Sequence, residues 1–301
     1  MASPHDASIA VARLASVLAC PVCGDPLRVV QSVGIQLMCA VGHGFDVART
    51  GYVNLLLANQ RRSTAPGYTQ ETLRARRTVL AAGLLDPLVP SLAESIVPAV
   101  TGAFETSHTA CLDAGCGEGH LFSQLLTAVQ SMGGVTTNGI GIDISKAGIK
   151  MASTLDRTIA WCVANLTRTL PIRRNAIGVL ANVLAPLNAA EFRRVLLEDG
   201  LLLKVVPSEG HLRELRAALY EIAAPGPSLT REVESQLAPF FVVTRKQRLN
   251  WVWRVAGVST RDLLMMSPLF WKAKQSKVWL TEQEGLTQLT VDLEALVARP
   301  R

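Results

Sequence analysis

The chain has 301 residues, 49% hydrophobic, 18% charged and 5% aromatic, with six cysteines. This profile suits one or two globular domains with a sizeable core and excludes disorder, collagen and a small disulfide scaffold. The formal net charge of +6 is uneven: residues 1–80 hold eight Arg against four acids, residues 81–220 eleven bases against twelve acids, and residues 221–301 eleven bases against eight acids.

No apolar run reaches the ~18 residues of a membrane span; Lys204 interrupts Gly200–Val206 and Arg254 interrupts Trp251–Val258. Val17-Leu18-Ala19-Cys20 faintly resembles a lipoprotein cleavage box, but Arg13 falls inside the would-be apolar segment and Cys20 has a better role as a metal ligand. The expectation is a chain without a signal peptide, resident in the cytoplasm. Next come Cys20-Pro-Val-Cys23 and, fifteen residues on, Cys39-Ala-Val-Gly-His43. Two thiolates at a tight turn grip one side of a tetrahedral ion, and a second pair on a neighbouring hairpin closes the shell. Leu27–Val33 and Ile35–Met38, turning at Gly34, would form that hairpin. Four ligands at accepted spacings favour this over buried reduced cysteines beside an unrelated His. Cys20, Cys23, Cys39 and His43 leave no open coordination position, so the expected zinc is structural. A rigid platform with surplus Arg suits contact with RNA, though zinc ribbons with protein partners are equally familiar.

Two helices follow, Glu71 to Ala82 and one opened by Pro87 that runs to Val100. The first carries Arg74, Arg76 and Arg77, which together with Arg61 and Arg62 are candidates for phosphate contacts. The division expected is a zinc-binding module at 1–60, a helical connector at 61–100 and a larger domain at 101–301 ending in a C-terminal extension. In that domain Ala110–Ala114, Asn138–Asp143, Ile159–Ala164, Ala176–Val183 and Leu201–Val206 read as short, continuously apolar strands. Helices at His120–Gln130, Lys146–Leu155 and Ala189–Leu197 alternate with them, giving a doubly wound α/β domain with a largely parallel buried sheet. Cys111, Cys116 and Cys162 are expected as buried thiols.

Between the first strand and its helix lies Asp113-Ala-Gly115-Cys-Gly117-Glu118-Gly119. Glycines in such a turn let the backbone approach a ligand closely, and the helix start offers unpaired N–H groups. The register is G-x-G-x-G, and His120 stands where a dinucleotide fingerprint would have its third glycine, which disfavours NAD. The loop resembles the first motif of class I S-adenosylmethionine-dependent methyltransferases. Asp143, ending the second strand, can accept from two ribose hydroxyls. The same resemblance places Asn165 and the Leu166 amide near the adenine.

Over nearly its whole length the chain resembles the RlmA-type methyltransferases, which methylate N1 of a guanine in 23S ribosomal RNA and include the tylosin-resistance enzymes. The resemblance is carried by the two Cys motifs, the run Phe45–Leu56 with Gly51-Tyr52-Val53-Asn54, Ala75-Arg76-Arg77 with Gly83, the glycine loop and Asp143-Ile-Ser145-Lys146. It continues in Ala185-Pro186, in Pro207-x3-His211-Leu212-x-Glu214-Leu215, and in Met266-Ser267-Pro268-Leu-Phe-Trp271-Lys-Ala273. It implies a class I methyltransferase fold with a small N-terminal zinc ribbon, zinc on Cys20, Cys23, Cys39 and His43, and S-adenosylmethionine lined by Gly117, Glu118 and His211. It further implies a 23S rRNA hairpin in domain II as substrate, macrolide resistance as a role, and a homodimer. Three positions depart from the family: Tyr68 where Asp often follows Pro-Gly, Leu85 where some members have Tyr, and His120 in place of a common aromatic.

Guanine N1 carries a proton at neutral pH, so its methylation needs in-line orientation, loss of that proton, and a cation near O6 for the developing charge. A paired guanine is inaccessible, so the target lies in a loop or is flipped out. Trp251, Trp253, Phe270 and Trp271 are candidates for stacking on it, with core packing as the alternative for each Trp. Asp113, Glu118 and His120 fall near the cleft by motif, and none is singled out as the base. The competing functions are a small-molecule methyltransferase, which has no need of an Arg-rich zinc module, and a non-catalytic rRNA-binding or assembly factor, which has no need of intact acidic strand ends.

Overall fold

The computed structural model describes residues 4–31, 34–60, 67–101, 110–220, 229–267, 269–270 and 273–301, with residues 4–9 as backbone. Arg61, Arg62 and Trp271 lie outside the described residues. A helix not anticipated from the sequence, α1 (Pro4–Val17), leads into a small antiparallel sheet of β1 (Arg28–Gln31), β2 (Ile35–Met38) and β3 (Gly44–Asp46). The expected hairpin is in register from Arg28↔Met38 to Gln31↔Ile35. A two-residue strand, β4 (Val53–Asn54), then leaves this sheet and pairs with the main one.

α2 (Gln70–Ala81) and α3 (Leu88–Thr101) follow, within a residue of their expected starts. Thr69 caps α2 by accepting the Thr72 N–H at 3.2 Å. The alternating region forms β5 (Ala110–Ala114), α4 (His120–Gly133), β6 (Asn138–Asp143), α5 (Lys146–Leu155), β7 (Ala160–Val163), β8 (Ile177–Val183), α6 (Ala189–Val195) and β9 (Leu196–Pro207). The expected helix Ala189–Leu197 ends at Val195 because the chain turns extended at Leu196 and enters β9 directly. After α7 (Arg213–Tyr220) and α8 (Thr230–Leu237), the C-terminal part is not an appendage. β10 (Phe241–Arg254) and β11 (Gln288–Pro300) form a long antiparallel pair, with short helices α9 (Thr260–Met265) and α10 (Gln275–Glu284) between them.

The main sheet has the order β10-β11-β9-β8-β5-β6-β7-β4, parallel from β9 to β4 and antiparallel where β11 meets β9. Its central strands are buried on both faces and largely apolar, with Asp113, Asn182 and Lys204 as buried polar exceptions. Leu201, Leu203 and Val205 of β9 pack with Leu88, Leu92 and Ile96 of α3, while Leu202 and Val206 face the side holding Leu14 of α1 and Phe192 of α6. Alternation puts Lys204 on that second face. All parallel strands end at one edge of the sheet, and the glycine loop lies there.

Candidate active site and metal centre

Each half of the metal site is a tight turn. Cys20 N–H donates to Asp25 O and Gly24 N–H to Cys20 O, and Gly42 N–H donates to Cys39 O at 3.1 Å. These turns bring one ligand atom from each of Cys20, Cys23, Cys39 and His43 within 4.8 Å of one another. His43 Nδ1 is 3.4 Å from Cys39 Sγ and 3.7 Å from Cys20 Sγ, and the His43 backbone N–H points at Cys39 Sγ at 3.3 Å. Three soft sulfurs and an imidazole in a closed cluster fit zinc, and with all four positions filled by protein the ion's work is structural. The remaining cysteines, Cys111, Cys116 and Cys162, are buried thiols; burial pushes Cys111 and Cys162 up to about 12.

At the sheet edge, Gly115 and Cys116 donate their N–H groups to Ile142 O, folding the glycine loop over β6. Gly115 (φ +101°) is packed so closely that a Cβ would lie 2.3 Å from that of Ala185, and one on Gly119 (φ +82°) would lie 2.7 Å from Ala152 and Trp161. Asp143 organises the loop. Its Oδ2 accepts the Gly117 N–H at 3.0 Å and its Oδ1 the Ser145 N–H at 2.7 Å. Asp113 is buried beneath, with Oδ1 lacking a partner, and burial followed by the nearby Asp143 and Glu118 charges pushes it up to about 8. Glu118 is 1% exposed, and its Oε2 lies 3.6 Å from Arg76 Nε. Asp113 Oδ1 and His120 Nε2, and Glu118 Oε2 apart from its ion pair with Arg76, have no hydrogen-bond partner among the described residues, and with the open space in front of Gly117 they mark a cradle for a polar ligand.

Asn165 is tied into its own turn, accepting from Thr167 N–H at 3.0 Å and donating to Gln60 O at 3.1 Å. Leu166 is buried beside it, and its side chain would lie 3.3 Å from a Cβ at Gly115. Leu166 therefore sits against the glycine loop, with Asn165 next to it in the chain.

Next to the loop, past Ala185, opens a cavity of about 580 Å³ at the ends of β8 and β9. Leu80, Leu84, Leu85, Leu184 and Met266 give it an apolar wall, with Tyr68, Arg76, Lys204, His211, Arg216 and Glu232 as its polar and charged members. The departures at Tyr68 and Leu85 thus both face this space. Tyr68 lies under the Arg76 guanidinium, 5.7 Å from ring centre to Cζ. His211 is held neutral: burial first, then Arg216, lowers its pKa to about 4. Its Nδ1 accepts the Asp292 N–H at 3.4 Å, which leaves the proton on Nε2.

The arginines divide. Arg74 is exposed, as a phosphate contact requires, but Arg76 and Arg77 turn inward. Arg76 reaches Glu118 and Tyr68, and Arg77 donates to the Glu118 carbonyl, because α2 lies across the glycine loop. Trp251 and Trp253 are half-buried and pack against the core. Their indole N–H groups donate to Leu84 O at 3.1 Å and Ala82 O at 3.2 Å, fastening β10 to the turn between α2 and α3. Sequence reasoning missed Lys204 as a site residue; its signal was a lone cation in an otherwise apolar strand.

The RlmA N-terminal family model, a zinc ribbon, matches residues 18–64. The chain is 33% identical over 286 residues, 94% of its length and 96% of the relative's, to YxjB of Bacillus subtilis (strain 168), named provisionally as a 23S rRNA (guanine-N(1)-)-methyltransferase. It is 32% identical over 285 residues, again 94% of this chain and 96% of the relative, to the 23S rRNA (guanine(748)-N(1))-methyltransferase of Streptomyces fradiae. The chain belongs to the 23S rRNA (guanine-N1)-methyltransferase family. It is accordingly a methyltransferase of the class I fold, with a zinc ribbon at its N-terminus. Among solved structures, a geranyl diphosphate methyltransferase in complex with SAM is 15% identical, covers 79% of this chain and 93% of its own, and has a TM-score of 0.41. That likeness is too loose to bear on function.

Proposed function

We propose that this enzyme methylates N1 of a guanine in a domain II hairpin of 23S rRNA, and that macrolide resistance follows where that guanine lies in the drug's binding site. The observation carrying this reading is the juxtaposition of a glycine cradle and a mostly apolar cavity, with Ala185 in the wall of one and against Gly115 of the other. A cavity of about 580 Å³ is ample for a flipped-out base beside part of a cofactor.

In this reading Asp113, Gly115, Gly117, Glu118, Gly119 and Asp143 hold S-adenosylmethionine, with Asn165 and Leu166 on its adenine side and His211 at its far end. When bound, it supplies a methyl group on a sulfonium sulfur, which departs as a neutral thioether with the bonding pair. The protein's part is orientation and electrostatics. The leucine wall excludes water, and His211, with its proton on Nε2, offers a fixed donor rather than a base. Residues 1–60 serve as the RNA-recognition module, 61–100 as the connector and 101–301 as the catalytic domain. Arg74 and the Arg61-Arg62 pair contact phosphate, and the enzyme works in the cytoplasm as a homodimer.

The test is methyl transfer from labelled S-adenosylmethionine to a 23S rRNA transcript lacking the modification, followed by primer extension. An N1 methyl blocks base pairing, so a reverse-transcription stop at one guanine of a domain II hairpin is expected. Cofactor binding with no RNA product would instead point to a small-molecule acceptor.

A further inference from the structure

β9 is apolar from Leu201 to Val206 except at Lys204, which is 3% exposed. Its Nζ donates to Asn182 Oδ1 at 2.5 Å and to Ala185 O at 2.6 Å. Asn182, directly across on β8, donates in turn to Ala114 O at 2.6 Å and Pro186 O at 3.2 Å. The network therefore starts at the residue preceding the glycine loop and ends in the cavity wall, of which Lys204 is part. Among the described residues no carboxylate lies within ion-pair distance of it. An ammonium group has three donors. Two are fixed by carbonyl oxygens, and the third has no acceptor among the described residues. A buried cation is strongly unfavourable without an anionic partner, and nothing in the packing of this strand requires one.

We infer that Lys204 is a catalytic cation of the methyl transfer, its third N–H donating to O6 of the acceptor guanine. The inference rests on the reading that the guanine occupies this cavity. N1 gives its proton to solvent water before the base is enclosed by the apolar wall, and negative charge then spreads over N1 and O6. The N1 pair then bonds to the methyl carbon, the methyl–sulfur pair returns to sulfur, and the product base is neutral. A cation already locked by two carbonyls stabilises the charged stage without reorganising.

The ionisation behaviour agrees with this role. Burial lowers the Lys204 pKa to about 8, so the group is charged at neutral pH and loses its charge above it. Its strand neighbours, Asn182 of β8 and Leu296 of β11, are neutral. The charged or titratable groups that share its cavity are Tyr68 in the turn before α2, Arg76 of α2, His211 in the turn before α7, Arg216 of α7 and Glu232 of α8.

The experiment compares the full-length enzyme with Lys204→Met and Lys204→Arg on the 23S rRNA transcript. It reads kcat, KM, S-adenosylmethionine affinity by calorimetry, and rate across neutral to alkaline pH. Lys204→Met is expected to lower kcat about 100-fold with cofactor affinity unchanged, and Lys204→Arg to recover part of the loss. The wild-type rate should fall on an alkaline limb near pH 8 that is missing in Lys204→Arg, whose guanidinium stays charged. A Met variant with wild-type kcat overturns the inference, as does one that loses cofactor affinity but turns over normally once saturated, since the cation would then serve the cofactor. Should the Met variant not fold, Lys204→Gln, which keeps a hydrogen-bond donor but not the charge, takes its place, and wild-type kcat in that variant overturns the inference. Failure of the wild type itself to make N1-methylguanine would count against the substrate assignment, not against Lys204.

Discussion

His211 faces the cavity as a neutral ring, and that neutrality has a consequence for stability. Its folded pKa of about 4 lies below the ordinary value of 6.5, so between those values the unfolded chain binds more protons than the folded one. The sign follows: the contribution is complete above pH 6.5 and is lost as pH falls towards 4. The full displacement corresponds to at most about 3 kcal/mol. Urea unfolding of the wild type and of His211→Gln across this window should show a steeper acid-side loss in the wild type, and parallel curves would refute a buried neutral histidine. The sequence announced His211 only weakly, by its place after an apolar strand. The metal ligands and the glycine loop were far more legible because their chemistry depends on spacing along the chain, as with Cys20-x2-Cys23 or Gly115-x-Gly117-x-Gly119. Arg76, Arg77 and Lys204 were not legible in the same way. Whether an arginine faces solvent or Glu118, and whether a lysine in a strand meets two carbonyls, depends on elements far apart in sequence.

α2 carries the inward arginines, so its stability bears on the site. The helix is amphipathic, with Leu73, Ala75, Val79 and Leu80 buried, and it begins at a single side-chain cap, Thr69. Replacing that cap with Ala leaves the Thr72 N–H without its acceptor and should destabilise the fold by about 1 kcal/mol. Because Arg76 and Arg77 hold the loop from this helix, S-adenosylmethionine affinity should fall with it. Calorimetry on Thr69→Ala checks this, and a variant that loses stability but binds normally would show that α2 does not tune the loop. The parallel strands β5 to β9 were readable because burial on both faces leaves nearly continuous apolar runs, broken only at places such as Asn182 and Lys204. β10 was not, since it is an edge strand with one face exposed: Lys246, Arg248 and Asn250 alternate with the half-buried Gln247 and Leu249, so no continuous apolar run marks it. Two-residue β4 is below what any periodicity can reveal.

At the scale of the whole molecule, the zinc ribbon is stitched to the catalytic sheet at both its ends. On entry, Ala19 N–H donates to Pro171 O at 3.0 Å and Leu18 bridges Ile172. On exit, β4 adds to β7, Leu55 N–H donates to Val163 O at 3.0 Å, and Gln60 O accepts from Asn165. The ribbon itself has only three strands of three or four residues and few large buried side chains, Leu27 and Leu37 among them, so the ion must supply much of its folding energy. Removing zinc should therefore do more than detach the proposed RNA-recognition module. Loss of the ribbon frees β4 and the Gln60 carbonyl, and with them the Asn165 turn that the proposed function sets at the cofactor's adenine side. Chelation, or Cys23→Ser at the exposed ligand, should lower the unfolding temperature of the entire chain, abolish RNA binding and weaken S-adenosylmethionine binding. Calorimetry before and after chelation, with zinc added back, checks all three. If cofactor affinity is untouched while RNA binding disappears, the ribbon is an independent reader and its seam with the sheet is only a tether.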